Sequence, residues 1–284
     1  MKGIEWTDMT WNPLLVRNGG RFGCTKISAG CTNCYASRLN ARVFGGRPYD
    51  SKFAGWDFYL DERQMKRLPG HKHPKKVFVC SATDLFHEAV PDELVYRVFH
   101  KMAYHPWHTF FVLTKRADRM ATIYPKIANL LVDRLDHVQL MVTVENQAMA
   151  NLRIPQLLSL HPGKVGVSVE PLLEPIDFRH DGHYWLCGIT TGTETDVYGN
   201  PFPIVVPSRS IDFVIVGGES GPGARICYPA WIHDIMLQCR DAGVPVFVKQ
   251  LGSRWAYEHK LRDDSKGSNP ENWPADLRVR EFPT

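Results

Sequence analysis

No stretch of the 284 residues is long and apolar enough to cross a membrane as a helix. The opening residues, Met1 to Asp8, hold no apolar signal core. A cytoplasmic protein with no membrane partner is therefore expected, and in that compartment thiols stay reduced. The cysteines number seven, an odd count that speaks against a full disulfide framework. A strong charge of one sign is lacking too. Thirty-four basic residues stand against 30 acidic ones, and the net +4 permits a nucleic-acid partner without demanding one. No Gly-rich dinucleotide or P-loop signature opens the first helix, which argues against both nucleotide folds.

What the chain does have is crowded cysteine. Cys24, Cys31 and Cys34 lie within eleven residues, spaced C-x6-C-x2-C, in a loop over 23–35. Three thiols on a Gly-flanked loop are poor core formers, whereas buried packing is the default expectation for Cys187, Cys227 and Cys239. Thiolates in such a group select zinc or an iron–sulfur cluster. Structural zinc needs a fourth ligand, which His71 or His73 could supply. A [4Fe–4S] cluster on three thiolates leaves one iron open to bind something else.

Apolar patterning predicts a short first strand over Asn12–Val16 and a helix from Tyr35 to Phe44, stopped by Gly45-Gly46. Residues 47–74 read as irregular. Strands are then predicted at 76–80, 109–114, 138–144, 164–169, 211–216 and 244–249. Helices fall between them at 91–104, 116–131, 147–161 (broken at Pro155) and 230–242. The strands are continuous apolar runs, so both faces are buried. Repeats of about 30 residues are βα units. The fold class expected is α/β: a full or partial parallel (β/α) barrel in a single domain. Residues 176–210, with a Tyr198-Gly-Asn-Pro turn signal, form an insertion after strand five. Residues 252–284 are read as a C-terminal strap.

In a parallel barrel all strand C-termini share one face, where sites are built. Here those ends carry Thr83-Asp84, Lys115-Arg116, Thr143 and Glu145, Glu170, Glu219, and Lys249. Cys80 ends strand two, where it either packs or donates a hydrogen atom to a substrate radical. Arg116, Arg225, Lys249 and the aromatic-rich insertion are candidates for phosphates and bases.

Three cysteines after strand one of a (β/α) barrel resemble the radical S-adenosylmethionine (SAM) superfamily, although its usual first gap is three residues and here it is six. A closer resemblance covers almost the whole chain. Ile4-Glu-Trp-Thr-Asp8, Trp11-Asn-Pro13, Asp84-Leu-Phe-His-Glu88, Leu113-Thr-Lys-Arg116, Ser168-Val-Glu-Pro-Leu172, Val216-Gly-Gly-Glu-Ser220 and Asp276–Pro283 are similar to the bacteriophage and prophage three-Cys-motif family. A more distant likeness is to spore photoproduct lyase. Together these imply a [4Fe–4S] cluster on Cys24, Cys31 and Cys34 and SAM as cosubstrate. They also imply a flavodoxin- or ferredoxin-type reductant and a nucleic acid or nucleotide substrate. By the same resemblance Thr83 and Asp84 would face the SAM amino group, Lys115 its carboxylate, and Thr143 or Glu145 its ribose. Glu170 joins this cofactor-binding set, and Glu219 with Cys80 the catalytic one. The reading leaves room for a partner protein. Two rivals stay open: a zinc-bound nucleic-acid-binding module without turnover, and a metal-independent barrel hydrolase using Glu145, Glu170 and Glu219.

Overall fold

A computed structural model of the chain describes residues 4–50, 55–132, 134–195 and 199–282. Seven parallel strands form one curled sheet, the half of a barrel. They are β1 (Met9–Trp11), β2 (Lys76–Val79), β3 (Thr109–Thr114), β4 (Val138–Thr143), β5 (Lys164–Val169), β6 (Phe213–Gly217) and β7 (Val246–Gln250). Their spatial order is their chain order. Right-handed crossovers between sequential neighbours all pass over the same face, so the helices gather on the convex side. The sequence thus foresaw the parallel architecture, in its partial form.

Apart from the single turn Glu62–Met65, the helices are α1 (Tyr35–Val43), α2 (Asp92–Ala103), α3 (Ala117–Leu130), α4 (Gln147–Leu158), α5 (Pro229–Asp241) and α6 (Ser253–Glu258). Four of them bury residues at i, i+3, i+4 and i+7. The sets are Val95, Val98, Phe99 and Met102; Met120, Ile123, Tyr124 and Ile127; Ala150, Arg153, Ile154 and Leu157; and Ile232, Ile235, Met236 and Cys239. Each buried Leu, Ile or Phe contributes about 1.5–3 kcal/mol. Pro155 does not break α4, contrary to the sequence expectation. It is exposed, so the carbonyl it leaves without a donor can bond to water.

The strands alternate between two cores. Val77, Val79, Phe110, Val112, Leu140, Val142, Val214, Val216, Val246 and Val248 meet the helices. Trp6, Phe78, Phe111, Met141, Phe213, Ile215 and Phe247 fill the concave face. Gly166 makes room for them: a Cβ there would stand 2.2 Å from Phe213 Cζ. Trp6 seals this floor, its ring 5.0 Å from Phe78 and 5.2 Å from Phe111.

The first strand differs from expectation. Sheet pairing falls to Met9–Trp11, parallel to Val77–Val79. Leu14–Val16 pairs antiparallel with Phe58–Leu60 outside the main sheet, inside the stretch expected to be irregular. The insertion after β5 is a four-stranded antiparallel sheet built from Arg179–His180, His183–Tyr184, Ile189–Thr195 and Pro201–Pro207. Tyr198 of its turn signal lies outside the described residues. The C-terminal strap is real. Val248 N–H donates to the Val279 carbonyl and Glu281 N–H to that of Val246, while the Phe282 ring packs tilted against Phe247, centroids 4.8 Å apart. No helix among the described residues is long and apolar enough to cross a membrane.

Candidate functional site

The cysteine loop leaves Leu14–Val16 and returns over the C-terminal ends of the strands. Three strand-end carboxylates, following β2, β4 and β6, hold it there.

Asp84 acts through an arginine. Its Oδ1 accepts the Thr114 hydroxyl at 2.7 Å and the Phe86 N–H at 3.0 Å. Its Oδ2 accepts the Lys115 N–H at 3.1 Å and Arg116 Nη1 at 3.1 Å. Burial alone would raise this carboxyl; the Arg116 guanidinium and these donors hold it below the usual carboxylate range. Arg116, only 3 % exposed, also donates to Glu88 (2.7 Å) and to the Thr25 carbonyl (3.1 Å). Its Nη1 lies 3.8 Å from Cys24 Sγ. His87 Nε2 meets the Thr25 hydroxyl at 2.7 Å. The Ala89 N–H donates to His87 Nδ1, so the proton of the neutral ring sits on Nε2. Burial, and then the Arg116 charge, push His87 down to about 4.

Glu145 is fully buried. Its Oε1 accepts the Gly30 N–H (3.2 Å), its Oε2 accepts Arg153 Nη1 (2.9 Å), and the Ser28 hydroxyl also donates to it. Arg153 Nη1 bonds the Thr143 carbonyl as well, at 2.7 Å. Glu219 takes the far end of the loop. Its Oε2 accepts Asn33 Nδ2 (2.9 Å), Arg225 N–H (2.9 Å) and Arg225 Nε (3.0 Å); its Oε1 accepts Arg225 Nη2 (2.5 Å). Burial would raise both glutamates, but Arg153 with Lys115, and Arg225 with Asn33, hold them below their usual range. α1 reinforces the seat: Arg38 donates to the Ser220 (2.7 Å) and Pro222 (3.0 Å) carbonyls. The Tyr35 hydroxyl donates to the Ser81 carbonyl.

The expected site residues therefore divide into two groups. Asp84, Glu145 and Glu219 seat the loop, together with Arg116 and Arg225, so these two arginines are neutralised within the protein. Lys249 Nζ bonds Glu170 Oε1 at 2.6 Å, and Gln250 joins at 3.3 Å. Facing the concave side beside them are Lys115, half-buried, and Thr143. Cys80 ends β2 buried, in the left-handed region at φ 54°, with its thiol pushed up to about 12 by burial. The Thr83 hydroxyl is buried with no hydrogen-bond partner among the described residues.

Three free thiols on one loop are a donor set that suits an iron–sulfur cluster or a zinc ion. Cys34 is near enough for its charge to act on Cys24, and Cys31 Sγ lies 3.8 Å from Ser28 Oγ. Among the described residues no three His, Cys, Asp or Glu side chains close around one metal ion. Zinc, about 2.3 Å from each sulfur, would draw the sulfurs to within about 4 Å of one another. A cubane binds one thiolate per iron and spaces them more widely. His71, offered above as a fourth zinc ligand, instead lies against Trp107, next to the start of β3 at the opposite end of the strands. The orphaned Thr83 hydroxyl is what a site awaiting a polar ligand leaves behind. Burial of its sulfur pushes Cys24 up to about 12 against the pull of Arg116, so metal-free Cys24 is a neutral thiol that a metal's charge must deprotonate.

Sequence reasoning did not single out Ser28, Asn33, Arg153 or Asn40. Arg153 carried a signal, a charge at a core-facing helical position that demands a buried partner. A cleft of about 440 Å³ lies apart from the loop, lined by Tyr228, Trp255, His259 and Trp273 among others. No curated protein and no solved structure matches the chain. Residues 1–273 match the model of a family described as a protein of unknown function, DUF5131, and the chain belongs to that family.

Proposed function

We propose that the protein is a radical SAM-type enzyme whose cluster is held by Cys24, Cys31 and Cys34, acting on a nucleic acid or nucleotide. The observation that carries this reading is the seating of three free thiols over the strand mouth. The loop is fixed by Asp84–Arg116, Glu145 and Glu219, and a half-buried lysine and an unpartnered hydroxyl lie nearby. When bound, a [4Fe–4S] cluster supplies the electron that cleaves SAM to a 5′-deoxyadenosyl radical, which abstracts hydrogen from a substrate.

This chain's own residues would do the rest. Lys115 is a cation suited to a carboxylate. The Thr83 hydroxyl can accept from an ammonium or donate to a carboxylate. The Lys249–Glu170 pair rims the same concave face and orients polar groups there. The aromatic floor of Phe78, Phe111, Phe213 and Phe247 keeps water from entering below.

Anaerobic reconstitution with iron and sulfide tests the reading. It should give about four irons per chain, a broad visible absorption and an EPR signal on reduction. Dithionite with SAM should then yield 5′-deoxyadenosine. Stoichiometric zinc that resists exchange, or a well-loaded cluster that leaves SAM intact, would sink it.

A further inference from the structure

Between Asp8 and Asp50 the chain has no acidic residue, where its average composition would place about four. The same stretch holds Arg17, Arg21, Lys26, Arg38, Arg42 and Arg47. It comprises the cysteine loop and α1, and the fold ties Arg21 and Arg47 to the helix that carries Arg38 and Arg42. Asn40, fully buried in α1, is the hub. Its Oδ1 accepts the Arg21 (3.1 Å) and Phe22 (3.0 Å) N–H groups, and its Nδ2 donates to the Gly19 (3.1 Å) and Arg47 (2.9 Å) carbonyls. Arg21 and Arg47 are thereby brought to the end of α1 that already carries Arg42.

Among the described residues no ion pair joins Arg21, Lys26, Arg38 or Arg42 to a carboxylate. Arg17 pairs with Asp57 at 2.9 Å. Arg38 and Lys26 bond to backbone carbonyls, which leave their charge intact. Arg21 lies over the Phe44 and Phe22 rings, 5.2 Å and 5.6 Å from their centroids. The three carboxylates that seat the loop each have an arginine of their own: Arg116, Arg153 and Arg225. A helix dipole favours one cation in the last turn of α1, which explains Arg42 but not Arg21 or Lys26. Like charges so gathered repel, which stability does not explain.

We infer that the α1 face beside the cysteine loop binds the backbone of a single-stranded nucleic acid. Arg38 and Arg42 run along α1 at i and i+4. Beside them Tyr35, Leu39 and Val43 run at i, i+4 and i+8, with Tyr35 and Val43 exposed. A cationic row next to an apolar row matches alternating phosphates and unstacked bases. Five of the six cations are arginine, whose planar fork suits phosphate. The inference names the substrate class and docking face of the proposed enzyme and rests on that reading only for what happens after binding.

The test uses chelator-treated, metal-free protein and a fluorescent 20-nucleotide single-stranded DNA, followed by anisotropy across a salt series. The wild type should bind with a steep salt dependence. R21E/R42E should bind at least tenfold more weakly, with a log–log salt slope shallower by about 1.4, roughly 0.7 per lost phosphate contact. The milder R21Q/R42Q should fall between them, and R240E, on the distant α5, should match the wild type. Melting temperatures check that the variants fold. An oligonucleotide that fails to bind the wild type, or binds the folded double variants equally well, overturns the inference. So does tighter binding of a duplex, or binding to phosphatidylserine vesicles instead of the oligonucleotide. If oligonucleotide binding survives while reconstituted protein leaves SAM intact, the enzyme reading alone fails.

Discussion

Asp84 and Arg116 show how a residue can carry chemistry without performing it. The sequence marked Asp84, Glu145 and Glu219 as unusual because strand ends gather at one mouth. It could not say what they face, since Arg153 comes from α4, Asn33 from the loop and Arg225 from beyond β6. Those pairings exist only once the barrel has curled. The buried pair makes a sharp expectation. Asp84→Asn removes the charge beside a guanidinium that is 3 % exposed, and should lower stability by about 3 kcal/mol, the lower end for a broken buried pair because Glu88 remains. Glu88→Gln removes the other partner, whose side chain is 64 % exposed, and should change stability by less than about 1 kcal/mol. Urea titrations with unchanged slope and shifted midpoints would register both. Equal effects would mean that Asp84 is not the anchor.

Elements were more legible than their edges. The six strands from β2 to β7 were foreseen to within two residues at either end, because a buried parallel strand writes an unbroken apolar run. The first strand was misplaced for the same reason. Leu14, Leu15 and Val16 are all buried and read as a core strand, yet Pro13 just before them lacks an N–H, and the parallel pairing falls to Met9–Trp11. The cysteine loop was legible by its thiols, and its three-point seat was not. Nor did any pattern reveal why Gly166 interrupts β5. Gly166→Ala sets a methyl 2.2 Å from Phe213 Cζ and should destabilise by about 1–3 kcal/mol through overpacking. Gly192→Ala, in the exposed hairpin, meets only Ile204 at 3.6 Å and should be neutral or slightly stabilising. Thermal melts of the two variants should separate them by several degrees.

At the scale of the whole molecule, a half-barrel has two problems: an open edge at β7 and an apolar concave face. The strap answers both. Val279 and Glu281 pair with β7, and Arg280 donates to the Val248 and Lys249 carbonyls at 3.2 Å each. Phe282 covers Phe247 and lies 3.7 Å from Lys76 Nζ, at the start of β2. The strap therefore spans from the last strand to the second across the side the sheet leaves unclosed. Removing residues 278–284 should bare the β7 ladder, an invitation to edge-to-edge pairing. It also uncovers aromatic floor, with a loss of about 1 kcal/mol or more for the half-buried Phe282 contact alone. The truncated protein should melt several degrees lower and elute as a concentration-dependent mixture of monomer and larger species. Phe282→Ala, which keeps the backbone pairing, should lower the melting temperature without the association. If truncation leaves the protein monomeric while Phe282→Ala alone accounts for the lost stability, the strap serves the floor and not the edge.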